Sequence, residues 1–489
     1  MTMTSVRQQW LTNPVREMLA GAVATVALIP EVIAFSFAAG VDPQVGLFAS
    51  FVIGIVIAFA GGRPAMISAA AGSVALVAAP LVHSHGLQYL LAAGLLAGLM
   101  QVLFGLLRLG VLLRFVSKSV RTGFVNALAI LIFSAQMPQI IGGGWLTYAV
   151  LAAGLALIYL VPRLTTAIPS PLICIVVLTA AAMALHLPLR TIADLGHLPD
   201  GMPVFAWPHV PLTLETLQII ALPALAIAMV GLLESLMTAS VVDDLTDTPS
   251  SKNRECTGLG LANLASSLFG GIAGCGMIGQ TVSNVKYGGR GRFSTLFAGA
   301  FLLILMVLLK PWVSQVPVAA LVAVMVMVSI DTFDWSSLRT VVRHPKMSSA
   351  VMLATVAVTV ATSNLALGVT VGVLLSGVFF SFKVARLLRI TQELDDGAQR
   401  LTYRVVGQVF FASADLFVDA FDIRDATGRS VLIDLSHAHF WDITAVAALD
   451  RVRQRFVSHG IAVEVFGLNA ASATLVERID ASATVAPQP

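Results

Sequence analysis

Between Leu19 and about Val384 the chain is an almost unbroken succession of apolar runs, each long enough to span a bilayer. Hydrocarbon offers a backbone no water to bond, so a run of that length resolves as a transmembrane helix that satisfies its own N–H and C=O groups. Charged residues are 11% of the 489 positions, where soluble domains carry about 25%. The fold expected is therefore an α-helical polytopic membrane protein. A net charge of +3 does not point to nucleic acid, because the lysines and arginines gather in short loops between apolar runs. Cys174, Cys256 and Cys275 show neither metal-ligand spacing nor an evident disulfide partner, and no metal site is expected. Residues 1–9 are polar and hold no hydrophobic core before a cleavage site, which makes the first apolar run a retained span.

An amphiphilic lead-in at 7–17, closing a cytoplasmic segment 1–17, precedes the first span at 18–40, which holds Pro30 and Glu31 at its middle. Further spans follow at 46–60, 87–107, 116–141, 146–161 and 168–187, with a broken segment between the second and the next. A polar loop at 188–215, rich in Pro and His, separates repeat one (18–187) from repeat two (217–389) of a transport domain 18–389. The second half opens at 217–242, which carries Glu234, and continues through 258–269, a second broken segment, 293–309, 316–330, 348–362 and 365–382. With the N-terminus inside and about fourteen crossings, the inside loops collect most basic residues, Arg108, Arg114, Lys118, Arg121, Lys252, Arg254, Arg290 and Arg292 among them. Outside loops keep little more than Arg190 and Lys310, and this asymmetry puts both termini in the cytoplasm of a cell whose inner membrane the protein spans. Beyond Arg389 the pattern turns soluble. Strands at 401–406, 408–411, 430–435 and 462–466 alternate with helices at 414–421, 444–457 and 471–479, which argues a small α/β domain over 400–480. A disordered tail is expected at 481–489.

The stretch from Gly270 to Asn284 is the poorest spanning helix of all, with Gly270, Gly271, Gly274, Gly276 and Gly279 in close succession. Irregular backbone at membrane depth is tolerated only where it is buried in protein or lines a watery cavity. The stretch thus reads as a broken span whose half-helix points free N–H groups and a positive dipole end at a bound anion; close packing of small residues is the alternative. The same device occurs earlier. Gly61-Gly62, a short extended piece and the small residues Ala69 to Ser73 repeat it, with the same offset from Gly62 to Ser68 as from Gly271 to Met277. Such internal symmetry marks an inverted-repeat transporter with its site between the repeats.

Glu31 and Glu234 each lie in the first helix of a half. An ionised carboxylate in hydrocarbon is costly, so such a residue faces a cavity and serves an ion path or a proton relay. Thr238 falls one turn after Glu234 on the same face, and the two side chains offer oxygens to Na+ or a hydroxyl partner to a proton site. Gln280, Thr281, Ser283 and Asn284 either bond a substrate or satisfy backbone freed by the glycines. His83, His85, His186, His197 and His209 read as solvated, Asp243, Asp244 and Asp247 as a solvated inside loop or a cap, and Met325 and Met327 as core filler. Gly94 and Gly98 permit close helix contact. No Walker A loop, Gly-x-Ser-x-Gly elbow or His-Glu-x-x-His helix occurs, and no enzymatic activity is expected.

Pro43 to Ser50, followed by Ile55-Val56-Ile57 and Gly61-Gly62-Arg63, resembles the signature of the sulfate permease (SulP) family of anion transporters, with Val45 and Phe48 in place of the usual tyrosines. Gly231 to Thr238 resembles the family's eighth helix, and Asn263 to Asn284 its ninth and tenth. Beyond the membrane region, Val431 to Ser436 and Phe440 to Ala445 are similar to the STAS domain of sulfate transporters and anti-sigma-factor antagonists; Ile443 stands where the soluble antagonists carry a phosphorylated serine, with Thr444 beside it.

The resemblance implies fourteen segments as two inverted repeats of seven, a core domain moving against a gate domain, and a homodimer. It also implies an anion held between the third and tenth helices, at Ala69, Ala70, Ala71, Gly72 and Ser73 on one side and Gly276, Met277, Ile278 and Gly279 on the other. Gln280 departs from an arginine common there. In sodium-coupled bicarbonate relatives an Asp and a Thr match Glu234 and Thr238. The missing arginine tilts the expected substrate from sulfate toward a carboxylate, bicarbonate or dicarboxylate, and Glu in place of Asp, together with the extra carboxyl of Glu31, tilts coupling toward H+. The expected function is a proton-coupled anion symporter without a cofactor, Na+ being the alternative coupling ion and an uncoupled exchanger or channel the rival. A cytoplasmic protein partner for the STAS domain is a further expectation, and nucleic acid is not.

Overall fold

A computed structural model describes residues 9–10, 13–111, 116–164, 170–194, 196–198, 201–343, 346–395 and 399–483. The chain forms two compact units, residues 1–373 and 374–489. Helices α1 (Pro14–Ala39), α2 (Pro43–Ala60), α3 (Gly72–His85), α4 (Leu87–Leu106), α5 (Lys118–Ile141), α6 (Trp145–Leu160) and α7 (Ser170–Ala184) make up the first half, with a two-residue strand β1 (Ser68–Ala69) before α3. The second half is α8 (Leu214–Thr246), α9 (Lys252–Leu268), β2 (Cys275–Gly276), α10 (Ile278–Lys286), α11 (Arg292–Val313), α12 (Val318–Thr332), α13 (Ser336–Arg343), α14 (Lys346–Thr362) and α15 (Leu365–Ala385). The order helix, helix, strand, helix opens both halves. Among the described residues, nine helices are long and apolar enough to cross a membrane.

Two groups of helices divide the first unit. In one, α1 to α4 pack with α8 to α11; in the other, α5 to α7 pack with α12 and α14. The closest pair is α4 with α9, where glycines let the backbones meet. A Cβ on Gly98 would lie 2.8 Å from the Gly260 carbonyl oxygen, and one on Gly260 would lie 2.5 Å from that of Gly98. The expected role of Gly94 and Gly98 is thereby seen, Gly94 lying against Ser267.

Where the lead-in at 7–17 is described, α1 begins at Pro14 and Glu17 is buried. Its carboxylate accepts from the N–H groups of Arg290 at 2.7 Å, Gly291 at 2.9 Å and Ser294 at 3.1 Å, capping the start of α11, where a negative charge meets the positive end of the helix dipole. Several basic residues assigned to inside loops also serve as caps. Arg254 and Arg292 bond the carbonyls of Ala58, Phe59, Ala60 and Gly61 and so close the C-terminus of α2. Arg114 lies outside the described residues. The loop at 188–215 is tied down as well: Ile192 and Ala193 donate to Val316 and Ser314, and Ala206 to Leu268.

The second unit carries a four-stranded sheet in the order β3 (Arg389–Asp395), β4 (Arg400–Val409), β5 (Ser430–Phe440), β6 (Val463–Phe466). β3 and β4 are antiparallel, and the pairings β4 with β5 and β5 with β6 are parallel. Helices α16 (Ala414–Asp419), α17 (Ile443–Val457) and α18 (Ala470–Ala483) complete it. Tyr403, Phe417, Phe421 and Phe456 centre its core. Strand β3 was not expected, and 401–411 forms one strand to Val409 rather than two. α18 runs to Ala483, past the point at 481 where a disordered tail is expected, and the rest of that tail lies outside the described residues.

Candidate functional site

The two broken segments meet. β1 and β2 pair antiparallel, Ser68 opposite Gly276 and Ala69 opposite Cys275, and the Met277 N–H reaches the Ile67 carbonyl at 2.8 Å. Gly274 is required at this crossing, since a Cβ there would collide with the Ala69 carbonyl. Each strand hangs on a serine: Ser50 Oγ of α2 accepts from the Ala70 N–H at 3.2 Å, and Ser235 Oγ of α8 from the Gly276 N–H at 2.8 Å. Asn263 of α9 holds the approach to β2, accepting from the Gly274 N–H at 2.9 Å while its amide donates to the Gly274 carbonyl at 3.2 Å and to Gln101 Oε1 at 2.8 Å.

Helical geometry leaves the first-turn N–H groups without intrahelical partners. In α3 these are Gly72, Ser73 and Val74, because the Ala75 N–H already reaches the Ala71 carbonyl at 2.9 Å. In α10 they are Ile278, Gly279 and Gln280, because the Thr281 N–H reaches Met277 at 3.1 Å. The two helix starts open onto one cavity of about 340 Å3, lined by Gly72 and Ser73 from one side and by Met277, Ile278, Gly279 and Gln280 from the other. Ser73 and Gly279 thus face the same space. Ala69, Ala70, Ala71 and Gly276 do not line it, and the N–H groups of Ala70, Gly276 and Met277 are spent in the crossing. The extended crossing, which sequence spacing alone could not separate from the helix start, displaces those positions.

Glu31 of α1 and Glu234 of α8 both line the cavity. Glu234 Oε2 accepts a hydrogen bond from the Ser73 hydroxyl and another from the Cys275 thiol at 3.1 Å. The Gln280 side chain lies against the Glu31 carboxyl. α12 adds Asp331, an exposed acid, with Met327 and Val328, and α5 closes the far wall with Phe124, Val125, Leu128 and Ile132. Among the described lining residues three are acidic and none is basic. A larger cavity of about 680 Å3, between α1, α7, α11 and α12, has only Thr179 and the Trp312 indole as side-chain donors among its described lining residues, and none of them is charged.

Other expected residues have different work. Thr238 donates its hydroxyl to the Glu234 carbonyl at 2.8 Å and the Gly276 carbonyl at 3.1 Å, outside the cavity. Of the polar group at 280–284, only Gln280 faces the cavity. Thr281 bonds both backbone groups of Ile67, and the Asn284 amide donates to Ala65 and Ser294. Met327 is a lining residue and not filler. Asp243 is no solvated loop residue: it sits in the last turns of α8 and pairs with Arg63 at 3.0 Å and Lys252 at 2.8 Å. His83 and His85 are exposed, as expected.

The sequence profile of the sulfate permease family matches residues 15–147 and 144–355, and that of the STAS domain matches 389–487. The chain belongs to the sulfate permease family of anion transporters. YbaR of Bacillus subtilis (strain 168), provisionally named a sulfate transporter, is 51% identical over 97% of this chain and 99% of its own length. Among solved structures, the transmembrane domain of a cyanobacterium bicarbonate transporter, BicA, is 26% identical, with a TM-score of 0.67 over 73% of this chain and 97% of that one. The murine Solute Carrier 26 family member A9 anion transporter, at 17% identity, shares the fold with a TM-score of 0.82 over 98% of this chain and 91% of that one. Membership of this family makes the chain a transporter rather than an enzyme.

Sequence reasoning missed Asp331, Phe124 and the α5 wall, as well as the supports Ser50, Gln101 and Ser235. Polar residues inside apolar runs were the available signal for the supports. Nothing in the sequence brings α5 and α12 to the mouth of the cavity.

Proposed function

We propose that this chain is a proton-coupled symporter of a small anion, a carboxylate, bicarbonate or dicarboxylate in preference to sulfate. The observation that carries this reading is the charge inventory of the cavity. Two helix N-termini supply roughly +0.5 of a charge each, whereas Glu31, Glu234 and Asp331 face the same space with no basic side chain among the described lining residues. With all three acids ionised the cavity repels an anion. Protonating Glu31 and Glu234 brings it close to neutral, so anion and proton bind with positive coupling. A doubly charged, strongly hydrated anion such as sulfate asks for more positive charge than two dipoles give, and Gln280 supplies none.

Na+ in place of H+ is the second reading, favoured by the oxygens that gather at Thr238, whose Oγ1 bonds the backbone carbonyls of Glu234 and Gly276 on α8 and β2. The names of similar proteins leave the substrate open, sulfate for one and bicarbonate for another. The inverted pair of half-helices suits alternating access, with the α1–α4 and α8–α11 group moving against the α5–α7, α12 and α14 group around the cavity. The basic loops favour termini on the cytoplasmic side of the inner membrane. A homodimer, and a protein partner for the STAS domain at the exposed first turn of α17 around Ile443 and Thr444, belong to the same reading.

Radiolabelled uptake into proteoliposomes tests it, with fumarate, bicarbonate and sulfate under imposed pH or Na+ gradients. Uptake of a carboxylate driven by an inward proton gradient is expected. Flux indifferent to both gradients would instead favour an uncoupled exchanger, and dependence on Na+ alone the second reading.

A further inference from the structure

Ser73 occupies two positions at once: it sits in the first turn of α3, among the N–H groups that open on the cavity, and its hydroxyl donates to Glu234 Oε2. A hydroxyl has one hydrogen to give. While Glu234 is ionised that hydrogen is held by the carboxylate, and the anion loses a donor at its own binding surface. We propose that Ser73 is the positioning residue that links proton to anion, turning its hydroxyl from Glu234 to the anion when Glu234 takes up a proton. This rests on the proton-coupled reading above.

The exchange is balanced. The proton enters from the cavity and stays on Glu234, whose new O–H donates to Ser73 Oγ. The Ser73 O–H, released, donates to the anion. Cys275, 3.7 Å from Ser73 Oγ and 3.1 Å from Glu234 Oε2, keeps its thiol on the carboxyl and holds it in place during the swap. The anion therefore gains a hydrogen bond only in the protonated state. The charged and titratable groups around Glu234 do not blur this. Packed against α8, β2 presents the Cys275 thiol, α3 presents Ser73, α10 presents the neutral Gln280, and α4 and α9 present the neutral amides Gln101 and Asn263. Across the cavity stand Glu31 and Asp331. The charged residues of α9, Lys252, Arg254 and Glu255, are engaged at the other end of α8, around Asp243 and the C-terminus of α2.

The test measures apparent KM for the full chain in proteoliposomes, with radiolabelled fumarate first and then any other anion of the panel that is taken up, at about pH 5.5 and about pH 8. Loss of one charge-assisted hydrogen bond predicts that Ser73→Ala raises KM about tenfold at the acid pH and less than about threefold at the alkaline one. Ser73→Thr, which keeps the hydroxyl, should restore the acid value. A rise of equal size at both pH values would mean that Ser73 is a plain ligand or a structural residue, and would overturn the proposal. Glu234→Gln separates the two failures. It should leave only the weaker pH dependence of KM that Glu31 contributes; a pH dependence like that of the natural chain would reject proton coupling through Glu234, and the role of Ser73 with it. An absence of uptake of every anion would do the same.

Discussion

Ser68 stands opposite Gly276 in the antiparallel ladder that joins the two halves of the membrane unit. Because that ladder is only two residues long, it cannot hold the helix starts by itself, and the side chains around it do most of the fixing. Asn263, Ser50, Ser235 and Thr238 each bond backbone of the crossing. Buried backbone that loses such a partner costs about 1–3 kcal/mol for each group.

Asn263→Leu removes the partners of both backbone groups of Gly274 and leaves Gln101 short of one. It should destabilise the protein by about 3 kcal/mol and lower the thermal unfolding midpoint in detergent, with uptake falling in parallel. An unchanged midpoint would mean that the crossing is held elsewhere.

Gly260→Val places a branched side chain where even a Cβ would lie 2.5 Å from the Gly98 carbonyl and 2.6 Å from the Val102 nitrogen. Both obstacles are backbone, so α4 and α9 must part, at about 1–3 kcal/mol or more. Cysteines introduced across the α4–α9 contact should then cross-link less readily; undiminished cross-linking would contradict the close packing.

Glu17→Ala strips three N–H groups at the start of α11 of their acceptor. A loss of about 1–2 kcal/mol is expected, with Glu17→Gln recovering part of it. Equal stability of all three chains by thermal unfolding would return residue 17 to the surface.

Gln280→Arg adds a positive charge beside Glu31 in a cavity with no basic side chain among its described lining residues. Sulfate should then compete at least about tenfold better against carboxylate uptake. No change in relative inhibition would show that charge at position 280 does not set selectivity.

The glycines made both interruptions legible in the sequence, and the two glutamates announced themselves as acids in apolar runs. The placement of the helix starts did not emerge, because Ala69 to Ser73 are all small and nothing in their order separates the strand Ser68–Ala69 from the helix that begins at Gly72. The capping role of Glu17 is not legible in the sequence, because its partners are 273 to 277 residues away. Asp331 lies one position past the span expected at 316–330, and α12 continues to Thr332. β3 escaped because Thr391, Gln392 and Glu393 interrupt its apolar alternation between Ile390 and Leu394, and only its pairing with β4 reveals it.

Glu234 accepts from Ser73 and Cys275 at the mouth of α3, and on this account its proton is what makes anion accumulation uphill. The decisive measurement is fumarate or bicarbonate uptake into proteoliposomes under an inward proton gradient, comparing the natural chain with Glu234→Gln at matched thermal stability. Accumulation above equilibrium is expected for the natural chain, and only downhill equilibration for the variant. Undiminished proton-driven accumulation by Glu234→Gln would contradict the account.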